Sequence, residues 1–347
     1  MENIKKIINK LRCLKCKVGS LDVLDSDNIY CLKCKEEYPF LIKNCIRLIP
    51  INISEVKEQI QEFWGDTCIQ WYEPIIDKLD YKSYVELLND LRMMFIKMEH
   101  LAVTEMKLNE IRGLDVLEIG SGGGGHSALF QKFGANVISV DITPERALST
   151  AKMLSFRDGK GVAFVSDAEM LPFKSNSFDI VYSNGVLHHS ENTELCNSEI
   201  NRVLKPKGRA IIMLYSRHSA AYWLNHLLKG ILYGYIFKYP EDQMLGLVTE
   251  GKPKYTDMKN PITRVYSKKQ IKNLYKDFKI ISLRKSGFTF GCLPLIGKLR
   301  NPLLKIFGKT PHPGGALVYG SGRIVNTKLE LYLGKYIGYN WNIICEK

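Results

Sequence analysis

No stretch of this sequence approaches the ~20 consecutive apolar residues that a bilayer-spanning helix needs. The N-terminus, Met1-Glu-Asn-Ile-Lys-Lys6, also lacks the apolar core of a secretory signal. The expected compartment is therefore the cytoplasm, where nine cysteines argue for free thiols and metal ligands instead of a disulfide framework. Acid is scarce in one region only. Residues 205–347 carry 25 Lys and Arg against 7 Asp and Glu, whereas residues 51–204 carry 14 against 23. The net charge of +13 thus sits in the C-terminal part. Such an asymmetry suits an anionic partner: a phosphorylated or carboxylated small molecule, a membrane surface or nucleic acid. Lysines that merely solvate a surface would produce the same count. The basic residues are not interleaved with an aromatic platform for bases, which makes nucleic acid the weaker choice.

The rest of the chain is organised around Asp115-Val-Leu-Glu-Ile-Gly-Ser-Gly-Gly-Gly-Gly-His126. Val116–Ile119 reads as a short buried strand that stops in glycines, and a helical pattern follows from Ser127 to Phe133. Glycines at this junction let the backbone turn sharply and approach a ligand that a Cβ would exclude. The free amides of the next helix face that ligand. A second strand, Asn136–Val140, ends in Asp141, about twenty residues past Gly120, where a carboxylate can accept from two ribose hydroxyls. Gly120-x-Gly122-x-x-Gly125 alone would equally suit a nicotinamide dinucleotide. Glu118 shifts the balance, because an acid there suits an ammonium and a sulfonium better than a pyrophosphate. A third strand (Val162–Val165) leads to Asp167, and a fourth (Phe178–Ser183) leads into Asn184-Gly-Val-Leu-His-His-Ser190.

With these motifs in this order, residues 113–215 resemble the class I S-adenosylmethionine-dependent methyltransferases, in particular the group acting on small molecules and lipids. The turn Arg202-Val-Leu-Lys-Pro-Lys-Gly208 carries Pro-Lys-Gly where that group commonly has Pro-Gly-Gly. The resemblance implies an α/β, Rossmann-like, doubly wound and mostly parallel seven-stranded sheet. It implies S-adenosylmethionine held by Glu118, Gly120, Ser121, Gly122, Gly124, His126, Asp141, Ile142, Asp167, Ala168 and Asn184. It also implies methyl delivery along Asn184–His189. A hydroxyl acceptor needs a general base, and His189 or His188 is suited to that role, with Asn184 beside them. The alternative is that these imidazoles only orient the substrate.

Cys13-x-x-Cys16 and Cys31-x-x-Cys34 place four thiolates for a closed tetrahedral structural zinc in a ribbon over residues 1–50. The segment is similar to the zinc-ribbon partner subunit of some RNA and protein methyltransferases. Cys45 lies outside the set. Residues 51–112 read as helical, with Pro74 as an interruption and Trp64, Trp71 or Tyr72 as residues that could line the substrate side. The domain from 113 to 347 should carry insertions at about 216–266 and 288–339, both over the substrate end of the sheet, as a lid. Trp223, Arg264 and Tyr266 of the first insertion and Tyr215 just before it are substrate candidates, Arg264 as the anion contact. The apolar run at 220–237 could wall a pocket, rest on a membrane interface or seal a dimer. The leading function is methyl transfer to a small, anionic, lipid-like, glycan or natural-product acceptor. An rRNA base methyltransferase is the alternative, since zinc ribbon and basic part would suit RNA, although no Asn-Pro-Pro-Tyr type segment is present. A non-catalytic scaffold is the third reading, and it is at odds with the intact glycine turn, Asp141 and Asp167.

Overall fold

The computed structural model describes residues 2–23, 28–42, 44–50, 52–157, 161–250, 259–294 and 296–347. From Asp115 onward strands alternate with helices. In chain order they are β5 (Asp115–Ile119), β6 (Asn136–Asp141), β7 (Val162–Val165), β8 (Phe178–Asn184), β9 (Leu204–Tyr215), β10 (Lys279–Ser286) and β11 (Asn340–Glu346). Four shorter strands precede them: β1 (Leu21–Val23), β2 (Asn28–Cys31), β3 (Glu37–Ile42) and β4 (Cys45–Arg47). The spatial order is β1-β2-β3-β4-β7-β6-β5-β8-β9-β11-β10. Strands β7, β6, β5, β8 and β9 run parallel, and β11 pairs antiparallel with both β9 and β10. Helices cover both faces, which is why β7 reads Val-Ala-Phe-Val with every residue buried instead of alternating.

The expected seven strands are all present, but the sheet has eleven. Without the ribbon, β7 would be an open edge with unpaired amides and carbonyls. β4 adds to it in parallel, Cys45 opposite Ala163 and Arg47 opposite Val165, and the Leu48 amide continues the ladder to the Val165 carbonyl at 2.9 Å. Leu11, Ile29, Ile46 and Leu48 of the ribbon pack in one buried cluster with Phe164, Leu171 and Phe173 of the main domain. The ribbon therefore shares its core with the sheet that it extends, which compensates for its small size.

The helical segment begins at Glu55–Trp71, capped by the Ser54 side chain, and Pro74 sits in the first turn of Glu73–Ile76. Tyr81–Lys97 opens with a reciprocal Asp80–Ser83 cap. It buries Tyr84, Leu88, Leu91, Met94 and Phe95, so most of the Met/aromatic stripe is core. The first insertion forms Leu227–Leu232 and Glu241–Thr249, and its residues 251–258 lie outside the described residues. The second forms Gly297–Ile306, Ala316–Tyr319 and Lys328–Ile337.

Arg284 of β10 fixes the helical segment to the sheet. Its guanidinium donates to both Glu105 oxygens at 2.5 and 2.8 Å and to the Glu99 carbonyl at 3.0 Å, with the Glu105 side chain only 4% exposed. Removing one partner of so buried a pair leaves the other charge without compensation. Glu105→Ala should cost about 3 kcal/mol, read as a lowered thermal midpoint. Glu105→Gln, which keeps one acceptor, should lose less.

Candidate active site

A cavity of about 430 Å³ opens beyond the carboxyl ends of β5 to β9, within the range of sites that hold a cofactor-sized ligand. Its floor is the turn after β5. Gly120 has φ +76°, and a Cβ there would lie 2.1 Å from a Val186 methyl. A Cβ on Gly123 would enter the Tyr72 ring at 2.6 Å. Only bare backbone fits between these two walls. Tyr72 comes from the helical segment, and its hydroxyl donates to the Val318 carbonyl of the second insertion at 2.8 Å. Helical segment and insertion thus meet over the glycines and roof the cavity.

Asp141 ends β6 beside this turn. One carboxylate oxygen accepts from the Gly122 amide (3.1 Å) and the other from the Thr143 amide (3.0 Å). Each oxygen retains a lone pair for a further donor. Asp167 follows β7, oriented by the Glu169 amide at 2.8 Å. Lys57 reaches down from the Glu55–Trp71 helix to Asp167 (2.6 Å) and Glu169 (2.9 Å). Burial works against its charge, but the two carboxylates prevail and raise its pKa. Sequence reasoning missed Lys57, since a lysine near a helix start carries no motif; the same is true of Arg146, which stacks on Trp64 at 4.5 Å.

Of the residues singled out from sequence, Gly120, Ser121, Gly122, His126, Asp141, Ile142, Asp167, Ala168, Asn184, His189 and Tyr215 line the cavity, as do Trp64, Trp71 and Tyr72. Six others do not. Glu118 lies beneath the turn, 1% exposed, and accepts from the Ser127 hydroxyl. Burial pushes its carboxyl up to about 8, and the side chain does not reach the cavity. Gly124 (φ +82°) instead lets the turn pack on Thr150, whose Cα a Cβ would meet at 2.8 Å. His188 is fully buried under the Tyr215 ring, centroids 3.8 Å apart. Trp223 points to solvent, 52% exposed. Arg264 is occupied by the Ser190 and Glu191 carbonyls and by Asp242, so it is a clamp and not an anion contact. Tyr266 spends its hydroxyl on Thr193.

The acceptor end holds His189, Tyr215, Glu250 and Tyr339. His189 Nδ1 lies 3.0 Å from the Ile262 carbonyl. That oxygen can only accept, so Nδ1 carries the proton; Asn260, whose amide can turn its oxygen inward, is 2.8 Å away. Nε2 is left as a lone pair without a hydrogen-bond partner among the described residues, 3.8 Å from Glu250. Tyr215 donates to Glu250 at 3.2 Å and stacks on Tyr339 at 4.2 Å, and burial keeps its phenol neutral. Away from this cavity, the sulfurs of Cys13, Cys16, Cys31 and Cys34 lie within 4.8 Å of one another. The two Cys-x-x-Cys turns repeat one geometry. Lys17 and Lys35 each take a left-handed φ (60° and 61°), and each donates its amide back to the first cysteine, Cys13 or Cys31, at 3.0 Å.

Burial depresses six imidazoles: His126, His189 and His226 to about 4, His100 and His188 well below the ordinary value, and His312 below it too. Groups held neutral in the fold take up protons on unfolding near pH 6.5. Their stabilisation is therefore complete above about 6.5 and lost as pH falls toward about 4. Glu118, raised to about 8, acts oppositely, stabilising fully below about 4.5 and less as pH climbs to 8. Burial raises Asp141, Glu250 and Glu73 as well, and they act in the same sense as Glu118. The six imidazoles outnumber these four carboxyls, so the thermal midpoint should fall between pH 6.5 and 4. His188→Leu should flatten that slope without lowering the midpoint at pH 7, because both of its ring nitrogens are buried without partners.

Comparison with known proteins agrees with this geometry. Residues 117–212 match a family model described as a methyltransferase domain. Over 107 residues the chain is 32% identical to phosphoethanolamine N-methyltransferase 2 of Caenorhabditis elegans, covering 30% of this chain but only 24% of that enzyme. Over 237 residues it is 29% identical to an uncharacterized protein of Methanocaldococcus jannaschii, covering 65% of this chain and 84% of that one. Among solved structures, a Haemonchus contortus phosphoethanolamine N-methyltransferase 2 is similar at 19% identity and TM-score 0.47, over 85% of this chain and 60% of that one. No helix among the described residues is long and apolar enough to cross a membrane. Over residues 117–212, then, the chain carries a methyltransferase domain.

Proposed function

We propose that the chain transfers a methyl group from S-adenosylmethionine to a small-molecule acceptor bearing an anionic group, with His189 as general base. One observation carries the reading. Asp141 and Asp167 stand at the ends of β6 and β7, the two successive strands beside β5, next to a turn that is stripped of side chains and roofed by Tyr72. That donor set fits a nucleoside: ribose hydroxyls on Asp141, and the adenine amino group on Asp167 with Ala168 beside it. Lys57 would have to share Asp167 with the adenine or withdraw toward Glu169. Bound there, the cofactor supplies a methyl carbon on a sulfonium, and no acid from Glu118 is needed to accommodate it.

The protein's own part is positioning and proton removal. His189 Nε2 takes the acceptor's proton, and the Ile262 carbonyl holds Nδ1–H as the ring becomes charged. Glu250, at 3.8 Å, then faces an imidazolium. Trp64 and Tyr339 exclude water from this end. Arg264 being occupied, the anion contact moves to Arg323, which lines the cavity with its guanidinium 4.2 Å from the Tyr319 ring. The relative named for phosphoethanolamine supports an acceptor that joins a nucleophile to an anionic group.

The four cysteines fit a structural zinc. The cluster is wrapped so tightly that a Cβ on Gly19 would lie 2.2 Å from the Cys31 sulfur. Backbone amides of Gly19 and Cys34 point at Cys16 and Cys31 sulfurs (3.2 and 3.4 Å), as suits thiolates. Cys13, Cys16, Cys31 and Cys34 would fill all four positions and leave none for chemistry.

His189→Ala should lower turnover by ~10²-fold or more with S-adenosylhomocysteine affinity unchanged, while His188→Leu stays within a few-fold of the parent. Equal loss in both variants would overturn the base assignment. Asp141→Ala should weaken S-adenosylhomocysteine binding in a calorimetric titration while the chain still folds, with a lowered thermal midpoint because the Gly122 and Thr143 amides lose their acceptor. Metal analysis should find about one zinc per chain, lost in Cys16→Ser. Because the Arg12 amide and guanidinium bind the Pro172 and Leu171 carbonyls, zinc loss should also raise amide exchange along 166–174.

A further inference from the structure

Three segments around the two insertions turn apolar side chains outward. In the first, Leu232 is 71% and Phe237 86% exposed; in the second, Ile306 is 77% and Phe307 76% exposed. The third, Lys328–Ile337, exposes Leu329, Tyr332 and Tyr336. The second segment is the most unusual. Ile296, Leu299, Leu303, Ile306 and Phe307 fall within an arc of about 100° on a helical projection. A surface helix of a globular protein turns such a stripe inward. Here the Gly297–Ile306 helix has no buried residue and is held to the body by Arg300, which pairs with Glu330 at 2.5 and 2.7 Å.

These segments are neighbours. The Arg300–Glu330 pair joins the second to the third, and Lys285 of β10 donates to both the Tyr336 carbonyl (2.7 Å) and the His218 carbonyl, joining the third to the base of the first. Residues 222–238, 296–309 and 328–337 together carry eight Lys and Arg against one acid, Glu330. That acid is buried and already paired, so the face shows solvent only cations, among them Lys298, Lys305, Lys309, Lys328 and Lys335. Apolar side chains fringed by lysines of one sign match the composition of interfacial helices, whose long stems reach the headgroups while the apolar face enters the acyl boundary.

We infer that this face docks on an anionic phospholipid bilayer. A second copy of the chain would bring like charges together, whereas an anionic leaflet neutralises them. Continuity with the cavity points the same way. Glu330 and Leu331 of the Lys328–Ile337 helix line the cavity, and Leu329 and Tyr332, on either side of them, face outward. A substrate with an apolar tail could therefore pass between bilayer and cavity along this helix. The docking itself depends only on the surface, not on the methyl-transfer reading.

The test uses the full chain with vesicles of phosphatidylcholine alone and with about a third phosphatidylserine, in a sedimentation assay. Binding should be at least ~10-fold tighter with phosphatidylserine and should weaken as salt is raised. The double variant Ile306→Glu/Phe307→Glu should lose it, as should Phe237→Glu, while S-adenosylhomocysteine titration stays at the parent value and reports an intact fold. Absence of phosphatidylserine-dependent sedimentation would overturn the inference. So would binding that survives the glutamates, or a dimer that the same substitutions dissociate in a chain that never sediments.

Discussion

The hydrogen bond from the Gly122 amide to the Asp141 carboxylate is the contact on which the rest of the site depends. It ties the turn after β5 to the end of β6, and the Thr143 amide holds the second oxygen. A carboxylate fixed by two backbone donors cannot swing, so its remaining lone pairs point where the strand ends place them. The turn can come this close only because Gly120 and Gly123 lack side chains, with Val186 and Tyr72 in the space that a Cβ would take. Shape and hydrogen bonding therefore constrain one another. Any residue that widened the turn would also move the carboxylate.

Above this floor, three separate parts of the chain converge. The helical segment supplies Trp64, Tyr72 and Lys57, the second insertion supplies Val318, Tyr319 and Arg323, and the first supplies Glu250. The Tyr72–Val318 hydrogen bond and the Arg284–Glu105 pair join the roof to itself and to the sheet. On the opposite edge the ribbon closes β7 and grips the 171–174 loop through Arg12 and Lys10. Order in the cysteine cluster is thus coupled to the strand whose end carries Asp167. This gives a remote structural element a physical route to the Asp167 side of the cavity.

Much of this was legible in the sequence, for identifiable reasons. The five parallel core strands announce themselves because parallel strands buried on both faces leave continuous apolar runs, and the glycine turn has no side-chain explanation other than close approach. Asp141 and Asp167 follow directly from strand ends. What misled was chemistry read without burial. Glu118 is an acid in a strand end, but it lies buried beneath the turn with Ser127 as its partner and does not reach the cavity. His188 and His189 are adjacent and equivalent on paper, yet the 3₁₀ turn Leu187–His189 sends one under Tyr215 and the other into the cavity. Arg264 has the right charge in the right insertion, but local carbonyls at Ser190 and Glu191 claim it. Lys57, Arg146 and Glu250 could not be picked out at all, because their roles come from tertiary placement. That the strands of residues 1–50 join the main sheet was hidden for a similar reason, since pairing of β4 with β7 joins segments more than a hundred residues apart.

The most direct measurement is a crystal structure of the full chain grown with S-adenosylhomocysteine. The account predicts the ribose on Asp141, the adenine against Asp167 and Ala168, and the sulfur directed toward Asn184 and His189. An empty strand-end rim in those crystals would contradict it, as would a dinucleotide spanning the glycine turn.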